Sequence, residues 1–312
     1  MTGRPRTPEF DRIAEAFGWS RDPALPGDDA ALLPGGRLLC CDALAEGAHF
    51  RLDWSGPADV GWKAVAANVA DILAMGGVPD AAVWSIGMGR EWDDRVFLEM
   101  CRGAREACEA FGCSLVGGDT VRCDGPGFAS LSLLGTLAVE RPWKRSDARV
   151  GDILCAAGSL GLSAAGWAAL RSGRAEHPSA REPVSRHRRP MPPVEAALRL
   201  RELPVGACID ISDGLSSEAA HIATASGVRL VVERELLEIP PDLSAIGDLL
   251  GLDPMDWILH GGEEHSLLLT LPADRELPEG VRRIGRVESG AGVVLQADSG
   301  LIPLRLEGWV HR

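Results

Sequence analysis

"ACIDISDGLSSEAAHI", residues 207–222, reads as a strand that runs directly into a helix. Ala207, Cys208, Ile209 and Ile211 are the residues of a buried strand, and the Leu-Ser-Ser-Glu-Ala-Ala run that follows has helical composition. Asp210 stands inside the apolar run and Asp213 at its end. An ionised carboxylate is costly to bury without a partner. Two of them at one junction ask for a positively charged ligand, and the same grammar of strand, acid and helix recurs along the chain.

The recurrences are "PGDDAAL" with Asp28 and Asp29, "LCCDAL" with Asp42, "ANVADIL" with Asp71 and "LVGGDTVR" with Asp119. Each acid follows a glycine or an apolar segment. If these carboxylates converge they repel one another, so convergence demands cations, and hard oxygen ligands select Mg²⁺ over zinc or copper. Taken singly, Asp213 also suits a helix N-cap and Asp28-Asp29 a turn. Asp71 is harder to dismiss, because it lies on a largely apolar helix three residues after Asn68, on the same face. Asp119 follows Gly117-Gly118, glycines that allow a ligand to approach the backbone closely.

With 312 residues and 46% hydrophobic composition, the chain is expected to form two domains of roughly 150 residues each. In the first block, "RLLCCDALAEG", "DAAVWSIGMG", "CSLVGGDT" and "FASLSLLGTLAVE" read as strands. "PADVGWKAVAANVADILAMGG" and "DDRVFLEMCRGAREACEAFG" read as helices stopped by glycine. A polar, turn-rich stretch puts the boundary near residue 142, giving domains 1–141 and 142–312. The second block has strands at "DILCAAG", around Asp210, at "VRLVVER" and near 266–271, 281–287 and 292–296. Its helices are expected from Leu162, near 194–203, after Asp213 and between 241 and 258. The Pro- and Arg-rich stretch 172–193, with "SRHRRP" at 185–190, reads as a connecting loop. The fold class is therefore α/β or α+β with mixed sheets.

A formal charge of −13 with only two lysines, Lys63 and Lys144, disfavours nucleic acid as a partner. No apolar run approaches the ~20 residues that span a bilayer, and the N-terminus lacks a signal-peptide centre, so no membrane role and a cytoplasmic location are expected. The eight cysteines include no C-x-x-C pair and read as reduced core thiols. "AAGSLGLSAAGWAAL" is neither a P-loop nor a G-x-G-x-x-G turn, although it could cradle phosphate at a helix N-terminus. It also approaches the nucleophile elbow of serine hydrolases around Ser163, with Ala165 where a glycine is required.

These blocks, in their order, resemble thiamine-monophosphate kinase, in the superfamily of aminoimidazole ribonucleotide synthetase and selenophosphate synthetase. The resemblance is carried by "GDDAALL", "CDALAEGAHF", "DVGWKAVAANVADILAMGGVP", "LVGGDTVR", "KRSDARVGD", "GSLGLSAAG", "RHRRPMPP", "IDISDGLSSEAAHIA", "LHGGEEHSLLLTLP", "RIGRV" and "EGW". It implies a two-domain fold like aminoimidazole ribonucleotide synthetase and transfer of the ATP γ-phosphoryl group to thiamine monophosphate. Several Mg²⁺ ions would be held by Asp29, Asp42, Asp71, Asp119, Asp210 and Asp213, with Cys40 and Cys41 in the adjoining positions. Gly118, Asp119, Arg145 and Ser212 would meet ATP, and His49, Glu263 and Trp309 would meet thiamine monophosphate. No dedicated base or nucleophile is implied, and a homodimer is.

Three departures from the family pattern stand out. Cys40-Cys41-Asp42 replaces Ser-Thr-Asp, trading hydroxyls for soft thiols. "GGEEHSLL" replaces "GGEDYELL", and Leu162 replaces an Asp. The alternative is another ATP-using member of the superfamily. The selenophosphate enzyme would show a reactive cysteine in a Gly-rich N-terminal segment and the hydrogenase-maturation relative a terminal one, and neither is seen here.

Overall fold

A computed structural model describes residues 27–305. Two sheets share one buried helix. The first sheet contains β1 (Ala31–Leu33), β2 (Arg37–Ala45), β3 (Gly77–Met88), β4 (Ser114–Arg122) and β5 (Phe128–Leu137), in the order β1-β2-β5-β3-β4. Leu38, Cys40 and Leu44 point inward from β2, while Leu39, Cys41 and Ala43 are exposed on the other face. This is the alternation of a sheet covered on one side.

The cover is α1 (Pro57–Ala74) and α2 (Asp94–Phe111). Pro57 opens α1, Asp93 caps α2 by accepting from Val96 N, and Gly112 ends α2 in the left-handed region. The two helices meet backbone to backbone. A Cβ at Gly61 would overlap the Met100 carbonyl oxygen, and one at Gly103 the Ala58 carbonyl oxygen. Fourteen of the eighteen residues of α1 are buried, as a helix that is apolar nearly all round requires.

The second sheet explains the burial of the far side of α1. It contains β6 (Asp152–Ala157), β7 (Cys208–Ile211), β8 (Arg229–Glu233), β9 (Ser266–Pro272), β10 (Val281–Glu288), β11 (Gly292–Ala297) and β12 (Gly300–Pro303). Their order is β12-β11-β8-β10-β6-β9-β7, with β8 and β11 parallel and the other neighbours antiparallel. Cys155, Cys208, Leu267 and Leu269 on one face join the core around α1. The other face packs under α3 (Leu162–Arg171), α6 (Leu215–Ser226), α7 (Pro241–Leu250) and α8 (Pro254–His260). Covered on both faces, "SLLLTLP" is an unbroken apolar run rather than an alternating one.

The stretch 172–193 is not simply a loop. It holds a 3₁₀ turn at Pro178–Ala180 and helix α4 (Arg181–Arg188), ahead of α5 (Val194–Leu200). Pro183 sits in the first turn of α4, where proline is tolerated. The basic residues clamp the two halves together. Arg188 Nε donates to Trp54 O at 2.6 Å, and Arg189 bridges Asp59 at 2.6 Å and Glu106 at 3.0 Å. Among the described residues no helix is long and apolar enough to cross a membrane.

Candidate active site

Where β2, α1 and β7 come together, Asp29, Asp71 and Asp210 each offer a carboxylate oxygen, all within 4.8 Å of one another. Burial and then the charges of Asp42, Asp210 and Asp29 hold Asp71 well above the usual carboxylate range. Burial pushes Asp29 up to about 7 against the pull of Arg145. Asp42, on the inward face of β2, is pushed to about 6 by burial and then by Asp210. Asp29 Oδ2 is buried with no hydrogen-bond partner. Crowded carboxylates with an unsatisfied oxygen are the donor set of a hard divalent cation, so these residues fit Mg²⁺.

Arg145, expected at ATP, is mostly buried, with its guanidinium 2.5 Å from Asp29 Oδ1. Its backbone N–H donates to Asp28 Oδ1 at 2.9 Å. Arg145 thus fixes the Asp28-Asp29 segment from the start of the second half. Asp213 and Ser212 lie between β7 and α6, and the cap position of α6 falls on Gly214 rather than Asp213. Asp213 N donates to Glu218 Oε1 at 3.0 Å, and Ser212 Oγ reaches the same oxygen at 3.5 Å.

The two cysteines differ, Cys40 placing its sulfur close to Asp71 of the cluster and Cys41 turning away from it. Burial, and next the charge of Asp71, raises the Cys40 thiol well above its ordinary value. That thiol also donates to the Asn68 carbonyl oxygen at 3.4 Å. Cys41 points to the open face, beside Ser130. Gly118 and Asp119 also stand apart within the single chain. Asp42 aligns across the sheet with Leu131, Trp84 and then Gly118, three strand spacings away or ~14 Å. Asp119 lies on the open face with Ser85 and Ser130, opposite the face that carries Asp42.

The cluster opens into a cavity of about 1190 Å³ between the halves. His49 lines it, with Nδ1 accepting from Ala45 N at 3.1 Å. Trp54, Trp167 and Trp257 supply aromatic wall, and Arg51 and Arg171 lie over the Trp54 and Trp167 rings at 4.5 and 5.0 Å. Glu263 also faces the cavity, in a left-handed conformation at φ 59°, its N–H donating to Ser212 O at 2.6 Å. Lys63 Nζ reaches Glu263 Oε1 at 3.0 Å. Burial raises the Glu263 carboxyl, but the Lys63 ammonium outweighs it and holds the group below its ordinary range. Trp309 lies outside the described residues.

Sequence reasoning missed Lys63, His187, Glu264 and the tryptophans. Lys63 left a signal, one of two lysines set in an apolar helix. Glu264 occupies the Gly-rich turn, accepting from Ser163 N at 2.7 Å and Ser159 Oγ at 3.1 Å. The turn's donors are therefore already engaged by a carboxylate and do not form an open phosphate cradle. Ser163 is no hydrolase nucleophile either. Its Oγ lies 3.2 Å from His187 Nδ1, the same nitrogen that faces Glu263 Oε2 at 3.5 Å. A serine–histidine–acid relay needs the hydroxyl and the acid on different ring nitrogens.

Residues 27–137 match the family model of the AIR synthase related protein N-terminal domain, and residues 149–298 match that of its C-terminal domain. The thiamine-monophosphate kinase of Mycobacterium tuberculosis is 39% identical over 295 residues, 92% of this chain and 87% of that protein. That of Aquifex aeolicus is 34% identical over 276 residues, 88% of this chain and 87% of the relative. A solved structure of AaThiL complexed with AMPPCP and TMP superposes with a TM-score of 0.89 at 31% identity, covering 100% of both chains. The E. coli hydrogenase maturation protein HypE shares the fold, with a TM-score of 0.70 at 21% identity. The paired domains and the extent of identity place this chain in the AIR synthase related family, and within it the chain belongs to the thiamine-monophosphate kinases.

Proposed function

We propose that this chain transfers the γ-phosphoryl group of ATP to thiamine monophosphate, giving thiamine diphosphate and ADP. The observation that carries the reading is the carboxylate cluster opening into one cavity with an acidic and aromatic wall. Bound Mg²⁺ would neutralise the phosphates and the charge that moves during transfer. Asp29, Asp42, Asp71, Asp210 and Asp213 would hold it, with Ser212 near the nucleotide. The acceptor is a phosphate oxygen, largely deprotonated near neutral pH, so no side chain has to remove a proton. Glu263, kept ionised by Lys63, offsets the cationic thiazolium, and the tryptophans stack on its rings.

The reading includes a homodimer and a cytoplasmic location. Leu39, Val83, Val116 and Val121 are exposed apolar side chains on the strands that carry Asp119 and its neighbours. Joining two such faces would bury them and bring a second copy's Gly118 and Asp119 toward the site. The division of labour proposed is 1–141 for ATP and Mg²⁺ binding and for dimerisation, with 142–312 completing the nucleotide and substrate site through Arg145, Asp210, Ser212, Asp213 and Glu263.

The test offers ATP with thiamine monophosphate, thiamine or an aminoimidazole precursor, each separately, and follows ADP and product. Thiamine diphosphate should form only from the monophosphate and only with a divalent cation present. Turnover of another acceptor at equal rate would overturn the assignment in favour of a different ATP-using superfamily member. Ser163→Ala should retain most activity, because one hydrogen bond of its kind contributes about 0.5–1.5 kcal/mol. A covalent adduct trapped on Ser163 would contradict direct transfer.

A further inference from the structure

His265 is the side chain of the site that nothing above uses. It lies in the left-handed region at φ 52°, with its backbone N–H donating to Ile211 O at 2.9 Å, so its main chain is pinned beside β7. The residue is 7% exposed, and its Nδ1 is buried with no hydrogen-bond partner. That nitrogen stands 3.6 Å from Asp210 Oδ2, beyond hydrogen-bonding range and suited to a shared ion between them. Asp42 is also close enough to feel the ring's charge. A strained backbone that carries a buried, unsatisfied nitrogen toward a carboxylate cluster needs a reason.

We propose that His265 gives an imidazole nitrogen to a divalent ion shared with Asp210, so that this position takes Mn²⁺, Fe²⁺ or Co²⁺ in preference to Mg²⁺. The inference rests on Asp210 as a metal ligand. An all-oxygen set suits Mg²⁺, whereas one neutral imidazole shifts a site toward first-row transition ions, whose nitrogen affinity is higher. Cys41 faces the open side of the sheet, and the Cys40 thiol donates to the Asn68 carbonyl oxygen. Asp29 and Asp71, the other two carboxylates of the cluster, offer oxygen alone.

The experiment loads the full chain with Mn²⁺ alone, without nucleotide, and reads nitrogen hyperfine coupling by pulsed electron paramagnetic resonance. Competition with Mg²⁺ is measured in parallel. The unaltered protein should show nitrogen coupling that is lost in both His265→Phe and the smaller His265→Asn. The preference for Mn²⁺ over Mg²⁺ should fall on the order of 10-fold or more in each variant. Three results would overturn the proposal: bound Mn²⁺ with no nitrogen coupling, coupling that persists in a folded variant, or equal loss of both ions. Product formation with Mg²⁺ is assayed on the same preparations, so a failure of the kinase reading is seen separately.

Discussion

Asp71→Asn should leave the metal-free protein more stable than the parent and nearly inactive. The Asp71 carboxylate is pushed up by burial and then by Asp42, Asp210 and Asp29, and in the absence of a cation only the more weakly felt charge of Arg145 favours its ionisation. Asparagine keeps the shape and removes the repulsion. Relieving about 1 kcal/mol would raise the melting temperature of a chain this long by about 1.5 °C. Turnover should fall on the order of 10²- to 10³-fold, the range for removing one electrostatic contact to a developing charge. Calorimetry in a chelator and single-turnover kinetics with Mg²⁺ read the two effects. A destabilised variant with normal turnover would remove Asp71 from the site.

Lys63→Met should destabilise the fold by about 3 kcal/mol, at the lower end of the range for breaking a buried ion pair because Glu263 keeps some contact with solvent. Lys63 is 2% exposed, and its loss strands the Glu263 carboxylate, whose backbone is already in an unfavourable region. The double variant Lys63→Met, Glu263→Gln should recover much of the loss, since it removes the charge left without a partner. Urea unfolding of both single variants and the pair gives the coupling. KM for thiamine monophosphate should rise in Lys63→Met more than KM for ATP. Additive losses in the double variant would mean that Lys63 acts through packing alone.

Most regular elements were legible because each carries its own period and its own stop signals. α2 is bounded by Asp93 and Gly112, and β2 alternates inward and outward. The elements that escaped were the three-residue β1, the four-residue β12 and α4, whose helical pattern is hidden by Pro183 and a run of charge. The site divides in the same way. Asp29, Asp42, Asp71 and Asp210 were visible because a carboxylate among apolar residues is locally anomalous. Their separation from Asp119 was not, because it depends on strand order, which no local pattern encodes. Lys63 and Glu263 are 200 residues apart, and Ser163 and Glu264 are 101 apart, so only the folded chain reveals those partners.

The crossing of α1 and α2 limits how such a chain can vary. At Gly61 and Gly103 the contact is main chain against main chain, so it has no alphabet of side chains through which to drift. A larger residue at either position cannot be absorbed by a rotamer. It must prise apart the helices, and α1 would carry Lys63 and Asp71 with it. Two residues without any functional group therefore constrain the permissible ancestry of the chain as tightly as the acids do. A lineage could exchange one carboxylate of the cluster for another in a single step, but could relocate this helix only by rebuilding both of its neighbours at once.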